Sequence, residues 1–446
     1  MRSIYMEYKK QVEALVRYFK EGEKKSSEFK TGLEIEHFIV RKNSLKSVSY
    51  FENGGIKDIL EHLVHMGWKA EQEVGHILKL KNADRSITLE PGSQIEFDIP
   101  PQKYLENIEK IYLSFIQDLT PLLEKRNQVI MALAYHPQSS IHDLPLLPKK
   151  RYGHMYDYLK KTGTLSHNMM KGTASTQICM DYCSEEDFIR KSRSAAFLTP
   201  FIYCIFDNAP FFEGKICTTS SIRSVIWNAC DPDRCGLPYN IYTDMLSFES
   251  YAEYILGKPP IIIMKNNRMI YTGTSPMREV FDPETFSNSE IDHMLSMYFF
   301  DIRLRSYIEL RMGDSLPYPY NIAYAALWKG LLYNAKNLSL LYEEAKKYNE
   351  RDMQEFSDQI LKKGIYAILD GKTVIEHFKD ITAMAKNGLN CCEKNYLKPI
   401  EDMLKKELVP KEMTLNNLDR GKMRALEWCS LNGINNLKRC DGIACC

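Results

Sequence analysis

The sequence predicts an α+β fold: a curved, mostly antiparallel β-sheet with surrounding helices and a helical C-terminal third. Strand patterns come in neighbouring pairs rather than alternating one by one with helices, and each main strand has one apolar and one charged face. From about residue 317 onwards the pattern is helical only. Because no repeat or long Pro/Gly/Ser linker interrupts the chain, an α+β region at 1–316 and a helical region at 317–446 packed on it are expected to form one structural unit.

The first elements alternate between helical and strand periodicity. Residues 4–22 place four apolar side chains on one helical face. LEIEHFIV at 33–40 then alternates, with Leu and Ile on one face and two glutamates on the other. Residues 55–66 return to the helical pattern, and Gly67 is the expected C-cap.

Paired strands follow at 77–99, where HILKLK and SITLEPGSQIEFDI flank a turn at NADR. We expect Pro100 and Pro101 to stop the last strand, because proline cannot donate to a sheet ladder. The next predicted elements are a helix at 103–125, a strand at 129–135, a helix at 150–161, a strand at 175–182 and a helix at 184–207.

The later elements end the predicted sheet. Residues 214–245 are rich in turn-forming residues and show no period, and a helix is predicted at 285–298. FDIRLRSYIELRMGD, at 300–314, alternates as one period-two strand. The most apolar stretch, Ala195–Phe206, is too short to span a bilayer and predicts a buried helix.

Composition and charge exclude several classes of protein. The 59 Lys and Arg nearly balance the 58 Asp and Glu, whereas a dedicated nucleic-acid binder carries a clear basic excess. Twelve cysteines in 446 residues are too sparse for a disulfide scaffold. The N-terminal 25 residues contain no apolar signal-peptide core. We therefore expect a cytoplasmic protein with mostly reduced thiols, no nucleic-acid partner and no membrane partner.

Carboxylates on the predicted strands are unusual, because strands are depleted in Glu and Asp. The charged faces carry Glu34 and Glu36; Gln94, Glu96 and Asp98; and Arg303, Arg305, Tyr307, Glu309 and Arg311. A solvated sheet face would explain any one of them, but three together favour a concave face that lines a cavity. Carboxylates suit Mg²⁺, and arginines suit phosphate or carboxylate ligands. Since the sequence has no P-loop and no GxGxxG, the pattern indicates phosphoryl transfer without a P-loop.

Six stretches also carry a resemblance to a known family. They are GLEIEHF (32–38), ITLEPGSQIEFDIPP (87–101), RYGHMYDYLKKTGTLSHNMMKGTASTQICMDYCSEEDFIRK (151–191), FDNAPFFEG (206–214), SIRSVIWNACDPDRCG (221–236) and FFDIRLRSYIELRMGD (299–314). In this order they resemble the plant-type glutamate–cysteine ligase family (γ-glutamylcysteine synthetase), which also occurs in many bacteria. The resemblance implies a catalytic fold of glutamine-synthetase type, in which the antiparallel sheet forms a funnel.

The resemblance also implies a reaction. ATP would phosphorylate the γ-carboxylate of L-glutamate, and the amine of L-cysteine would attack the acyl phosphate, which is the first step of glutathione biosynthesis. The implied cofactors are ATP and Mg²⁺, the implied partners are L-glutamate and L-cysteine, and a monomer or homodimer is expected.

The implied site residues follow from the matching motifs, residue by residue. Glu34 and Glu36 match paired glutamates taken as Mg²⁺ ligands, and Glu90 and Glu96 match acidic positions for metal or substrate. Gln177 matches a polar residue near the nucleotide phosphates and a metal. The remaining matches are Arg223, for the transferred phosphoryl group or the substrate carboxylate; Trp227, for the substrate pocket; and Glu309 and Arg311, for metal and phosphate.

Departures from the family pattern leave alternatives open. Ser93 replaces the second glycine of EPGGQ, and Asn228, Ala229 and Cys230 follow Trp227 where polar or acidic residues are typical. Because that loop is predicted to border the acceptor pocket, a γ-glutamyl or other carboxylate–amine ligase with a different amine acceptor remains an alternative. A non-catalytic nucleotide- or amino-acid-binding protein is a third hypothesis. The cysteines at 391–392 and at the C-terminus are read as buried thiols and a frayed tail, or as a redox or metal site.

Overall fold

The computed structural model describes residues 2–83 and 85–432. The strands are β1 (Thr31–Arg41), β2 (Lys69–Glu73), β3 (His76–Asn82), β4 (Arg85–Leu89), β5 (Ile95–Gln102), β6 (Gln128–Met131), β7 (Ser175–Met180), β8 (Phe211–Phe212), β9 (Lys215–Ile216), β10 (Ile261–Lys265), β11 (Arg268–Gly273), β12 (Ile302–Leu304), β13 (Ile308–Asp314), β14 (Ile368–Leu369) and β15 (Lys372–Thr373). Asp84, in the predicted NADR turn, and the cysteines at 440, 445 and 446 lie outside the described residues. Cys391 and Cys392, expected as buried thiols, are exposed instead.

The helices precede, follow and cover these strands. They are α1 (Arg2–Glu21), α2 (Ile56–His65), α3 (Leu105–Glu124), α4 (Lys150–Leu159), α5 (Ser166–Gly172), α6 (Glu185–Ile205), α7 (Ile222–Asn228), α8 (Phe248–Leu256), α9 (Met277–Val280), α10 (Asn288–Leu295), α11 (Tyr320–Leu332), α12 (Ala335–Ala345), α13 (Glu350–Lys363), α14 (Val374–Gly388), α15 (Lys398–Lys405), α16 (Pro410–Leu415) and α17 (Lys422–Ala425).

One nine-stranded sheet organises the fold. Its order is β12-β13-β7-β1-β5-β4-β3-β2, with β6 paired to one end of β1, and every pairing in it is antiparallel. The predicted α+β class with an antiparallel sheet is therefore confirmed. Because β1 lies beside both β5 and β7, strands that are far apart in sequence meet at the centre of the sheet.

The alternation seen in the sequence separates two sheet faces. Leu33, Ile35, Phe97 and Leu310 are fully buried on the apolar face, against which α3, α6 and α11 pack. Phe97 stacks on Phe115 of α3 with ring centroids 4.0 Å apart. Burying each such side chain contributes about 1.5–3 kcal/mol, so this face fixes the register of the sheet. The opposite face carries the charged residues.

The stretch 300–314, predicted as one strand, is instead a hairpin. Residues 305–307 form its turn, and β12 folds back on β13 so that Arg303 lies opposite Glu309. The single-strand prediction was wrong because a turn of three residues keeps the period of two, so side-chain alternation alone does not reveal the reversal.

Several other boundaries also differ from the predictions. Pro100 and Pro101 do not end β5. They lie where the pairing with β1 is irregular, between the pairs Thr31–Gln102 and Leu33–Ile99, so the ladder does not need the N–H groups that proline lacks. The strand predicted at 129–135 ends at residue 131, and the predicted turn region at 214–245 contains helix α7. The hairpins β10–β11 and β14–β15 were not predicted, and the second of these lies in the C-terminal region expected to be helical only.

The C-terminal helices share one hydrophobic core with the sheet. Trp328 of α11 is fully buried in the cluster that also contains Leu33 and Ile178. The predicted α6 helix includes the apolar stretch from residue 195 to 205, which is buried as expected. Among residues 2–83 and 85–432, none of the helices combines the length and the apolar character needed to cross a membrane.

Candidate active site

The strand registers bring the predicted carboxylates together on the polar face. Glu34 of β1 lies opposite Asp98 of β5 on one side and Gln177 of β7 on the other. Two residues further along β1, Glu36 lies opposite Glu96. On the outer side of β7, Glu309 of β13 lies opposite Cys179. Side chains from four neighbouring strands, β5, β1, β7 and β13, therefore point to one region.

The first group in this region is purely acidic. One carboxylate oxygen each from Glu34, Glu96 and Asp98 lies within 4.8 Å of the others. Burial, followed by the nearby charges of Glu309 and Asp98, raises the pKa of Glu34 to about 8. Burial and Asp98 likewise raise the pKa of Glu96 well above its ordinary value. A divalent cation would relieve this repulsion, and all the donors are oxygens, which is the ligand set that Mg²⁺ prefers.

Glu34 belongs to a second group as well. Its carboxylate lies within the same 4.8 Å limit of the Cys179 thiol and the Glu309 carboxylate. The Cys179 thiol is 4.0 Å from Glu34 Oε1. The two groups therefore share one carboxylate.

Glu36 is held by the protein itself. The backbone N–H of Ser175 donates to Glu36 Oε2 at 2.8 Å, and Gln177 Nε2 donates to Glu36 Oε1 at 3.1 Å. Arg311 in turn donates to Gln177 Oε1. Burial and the negative charge of Glu90 raise the pKa of Glu36 to about 7. Gln177 thus links the acidic centre to an arginine on β13.

Arginines dominate the β13 side. Arg303 of β12 donates to Glu309 Oε2 and to the backbone oxygen of Tyr298, the latter at 2.6 Å, while Arg311 Nη1 lies 3.6 Å from Glu309 Oε1. Burial opposes ionisation of Glu309, but the positive charges of Arg303, Arg311 and Arg305 outweigh it and lower the pKa of Glu309 to about 2. Glu309 is therefore a permanent anion between two cations.

Helix α7 places Arg223 and Trp227 beside Arg311, and we call these three side chains the anion-binding wall. Arg223 is 2% exposed, and its Nη2 donates to the backbone oxygen of Arg311 at 2.9 Å. Its Nε and Nη1, together with Arg311 Nε and Trp227 Nε1, are buried and find no hydrogen-bond partner among the described residues. The nearest carboxylate to Arg223 Nη1 is Asp314, at 4.0 Å. Unpaired buried donors are costly, so their convergence indicates a site for an anionic ligand.

The other predicted residue, Glu90, lies at the edge of the acidic group. Its carboxylate accepts a hydrogen bond from the Tyr152 hydroxyl at 3.1 Å, and Lys149 lies beside it, donating to the backbone oxygen of Leu89 at 3.0 Å. The turn after Glu90 places Ser93 at a φ of +72°. Glycine adopts this conformation without strain, which explains the family preference for glycine at that position.

The loop after Trp227 is anchored by Cys230, which is buried. The Cys230 thiol donates to the backbone oxygen of Ile226 at 3.0 Å, and the Cys230 carbonyl accepts from the Ser166 hydroxyl at 3.3 Å. These contacts fasten α7 to α5. The substitution at 230 is therefore accounted for by packing.

Several residues of the site were given no site role from the sequence. Asp98 and Arg303 were placed on the charged strand faces by their alternation, but no ligand was assigned to them. Cys179 and Asp314 had none, because their roles depend on which strands are neighbours. Lys149 and Tyr152 likewise had no signal in the sequence. Tyr152 lies in α4 and Lys149 is the residue before this helix, and both approach Glu90.

Comparisons with known proteins identify the family. The family model of glutamate-cysteine ligase family 2 (GCS2) matches residues 30–423. The chain is 27% identical to glutamate–cysteine ligase B, chloroplastic, of Oryza sativa subsp. japonica, covering 93% of this chain and 85% of that protein. It is 28% identical to the chloroplastic glutamate–cysteine ligase of Arabidopsis thaliana, covering 90% and 79%.

A solved structure supports the fold. The glutamate–cysteine ligase of Francisella tularensis, crystallised in complex with AMP, superposes with a TM-score of 0.53 at 11% identity, covering 90% of this chain and 87% of that one. At this identity the likeness concerns the fold alone. Because the family model spans most of the chain and its motifs form the polar face, the chain belongs to glutamate–cysteine ligase family 2, a family of ATP-dependent carboxylate–amine ligases.

Proposed function

We propose that the protein joins the γ-carboxylate of L-glutamate to the amine of L-cysteine, using ATP and a γ-glutamyl phosphate intermediate. The observation that carries this proposal is the placement of an all-oxygen acidic group next to a wall of buried, unpaired arginine donors on one sheet face. The first suits a divalent cation and the second suits phosphate. Both are needed to transfer a phosphoryl group to a carboxylate, which is otherwise a poor acyl donor.

The residues that would hold Mg²⁺ are those whose charges are mutually repulsive without it. Glu34, Glu96 and Asp98 form the all-oxygen group, and the second oxygen of Glu309 has no hydrogen-bond partner within the described chain. A bound Mg²⁺ would neutralise charge on the phosphate oxygens of ATP. Glu36 would orient the site through Gln177, and each of its oxygens keeps a second lone pair for the ion beside the hydrogen bond that it accepts.

Arg223 and Arg311 are proposed to bind the anionic groups. Their guanidinium carbons lie 5.8 and 5.9 Å from the Trp227 ring centre, so the three side chains form one surface. Planar guanidinium groups bind phosphate or carboxylate oxygens in pairs, and they strengthen those contacts as negative charge develops. Trp227 would then offer its free N–H to the same ligand.

The identity of the amine acceptor is the most specific part of the proposal. Purified protein should be given ATP, Mg²⁺ and L-glutamate together with a panel of amines that includes cysteine, 2-aminobutyrate and alanine. Cysteine should give the highest kcat/KM, with 2-aminobutyrate a poorer substrate, because size and weak sulfur contacts discriminate by only about 1–3 kcal/mol. If cysteine is inert while another amine reacts well, the ligase chemistry stands and the acceptor is different. If folded protein forms no ADP with glutamate and any amine, a binding protein replaces the ligase.

The cytoplasm is the proposed location. Eight of the nine cysteines among the described residues are free thiols and Cys392 is disulfide-bonded. The predominance of free thiols supports a reducing compartment.

A further inference from the structure

We infer that the polar face also holds a mixed oxygen–sulfur site for a thiophilic divalent cation such as Zn²⁺ or Cd²⁺, formed by Cys179, Glu34 and Glu309. One ligand atom from each residue lies within 4.8 Å of the other two. The inference rests on the metal role proposed above for Glu34 and Glu309, and it adds a ligand of different chemistry. Its test measures binding without turnover, so it can fail independently of the ligase proposal.

The sheet register creates this site. Cys179 of β7 lies opposite Glu309 of β13 on one side and opposite Gly32 of β1 on the other. Residues directly opposite on antiparallel strands have Cβ atoms about 4.5–5.5 Å apart on the same face. Glu34 follows Gly32 by two residues, so its side chain points to that face as well.

Gly32 keeps the space beside the thiol open. A Cβ atom at this position would lie 3.2 Å from the Cys179 Cβ and 3.8 Å from its sulfur. A longer side chain would reach further over the thiol. An alanine at this position would therefore press on the Cys179 side chain and shift the thiol relative to Glu34.

Glu309 provides an independent indication of a ligand. Its side chain is fully buried, and Oε2 accepts from Arg303. Oε1 has no hydrogen-bond partner in the described part of the chain, because Arg311 Nη1 at 3.6 Å is too distant. A buried carboxylate oxygen left without a hydrogen bond costs free energy, and a cation bound between this oxygen and Cys179 would offset that cost.

The two overlapping groups differ in the ions they favour. Glu34, Glu96 and Asp98 offer only oxygen, which suits Mg²⁺, whereas a thiolate selects softer ions such as Zn²⁺ and Cd²⁺. Binding replaces the sulfur–hydrogen bond of Cys179 by a sulfur–metal bond and releases one proton to solvent, so no oxidant or reductant is needed. Because Glu34 belongs to both groups, a thiophilic ion at Cys179 competes for a ligand of the Mg²⁺ site.

The test is a titration of the full metal-free chain with Cd²⁺, without ATP or amino acids, followed by the ultraviolet charge-transfer absorbance of cadmium thiolate. Exposed thiols contribute to the signal, so the quantity compared is the difference between variants. Cys179→Ser should lose one equivalent of this absorbance and bind Cd²⁺ at least about tenfold more weakly, since even outer-shell partners of metal ligands have effects of this size. Cys204→Ser, which removes another buried thiol outside the polar face, should match the wild type.

Equal absorbance and equal Cd²⁺ affinity in the wild type and Cys179→Ser would overturn the inference. Gly32→Ala covers the case in which Cys179→Ser fails to fold, because it keeps all three ligands and only adds a methyl group against the Cys179 side chain. It should weaken Cd²⁺ binding about tenfold. An unchanged Cd²⁺ affinity in folded Gly32→Ala would equally contradict the site.

Discussion

Replacing Arg223 by lysine tests the anion-binding wall. The substitution keeps the positive charge and removes the planar fork of donors. In the structure, Nη2 is engaged with the backbone oxygen of Arg311, while Nε and Nη1 are buried and unpaired. A single ammonium cannot bind the Arg311 carbonyl and also present two donors in one plane to a ligand. The variant should therefore lose at least one charge-assisted hydrogen bond to the reacting group.

The size of the effect follows from those donors. A hydrogen bond to a charged group contributes about 1.5–3 kcal/mol. Losing one to two such bonds costs about 3 kcal/mol, which corresponds to roughly a hundredfold in rate. Because the transferred phosphoryl group gains charge during the reaction, the loss should appear mainly in kcat and not only in KM.

The assay is glutamate-dependent ADP release at saturating ATP and Mg²⁺, with thermal unfolding measured in parallel. Arg193→Lys is the matched control. Arg193, in helix α6 and outside the polar face, is also a buried arginine, but it pairs with Asp244. It should leave kcat near that of the wild type. If Arg223→Lys raises only the KM for glutamate, Arg223 binds the ground-state carboxylate and the phosphoryl role is refuted.

Three further predictions concern other parts of the molecule. Glu309→Gln keeps the side-chain shape and removes the charge between two arginines. We expect kcat to fall at least about a hundredfold, which corresponds to about 2.7 kcal/mol in activation free energy. Normal turnover in limiting Mg²⁺ would exclude Glu309 from the metal site. Lys411→Met leaves the buried Asp207 carboxylate, 3.6 Å from Lys411 Nζ, without its cation. The free energy of unfolding, measured in denaturant, should fall by about 3–5 kcal/mol. The double variant with Asp207→Asn should recover part of that loss. Burial lowers the pKa of His136 to about 3, below its ordinary value of 6.5. The stability that depends on the neutral imidazole is therefore complete above pH 6.5 and is lost as the pH falls towards 3. In His136→Asn, the free energy of unfolding should depend less on pH over this range.

The charged faces could be predicted from the sequence because apolar and charged residues alternate along the strands that carry them. Glu34 and Glu309 were found in this way, and both lie on the polar face. Which strands are neighbours could not be predicted by the same means. Glu34 meets Gln177, and Cys179 meets Glu309, because β7 inserts between β1 and β13, and that order is decided by packing over the whole sheet.

Helix α7 shows a different limit. Its seven residues follow Ser221, whose φ of +54° starts the helix from a left-handed conformation, so the segment has no regular capping pattern. The backbone N–H of Ser221 donates to Asp207 at 2.8 Å, and Asp207 in turn lies beside Lys411 from the C-terminal region. The position of Arg223 thus depends on residues nearly two hundred positions away, which no local pattern contains.

The central claim is that the protein activates the γ-carboxylate of glutamate by phosphorylation. The most direct measurement uses glutamate carrying heavy oxygen in that carboxylate, with ATP, Mg²⁺ and cysteine, followed by mass analysis of the phosphate released. Formation of an acyl phosphate predicts that one labelled oxygen is transferred to phosphate for each peptide bond made. Amide formation with unlabelled phosphate would contradict the account.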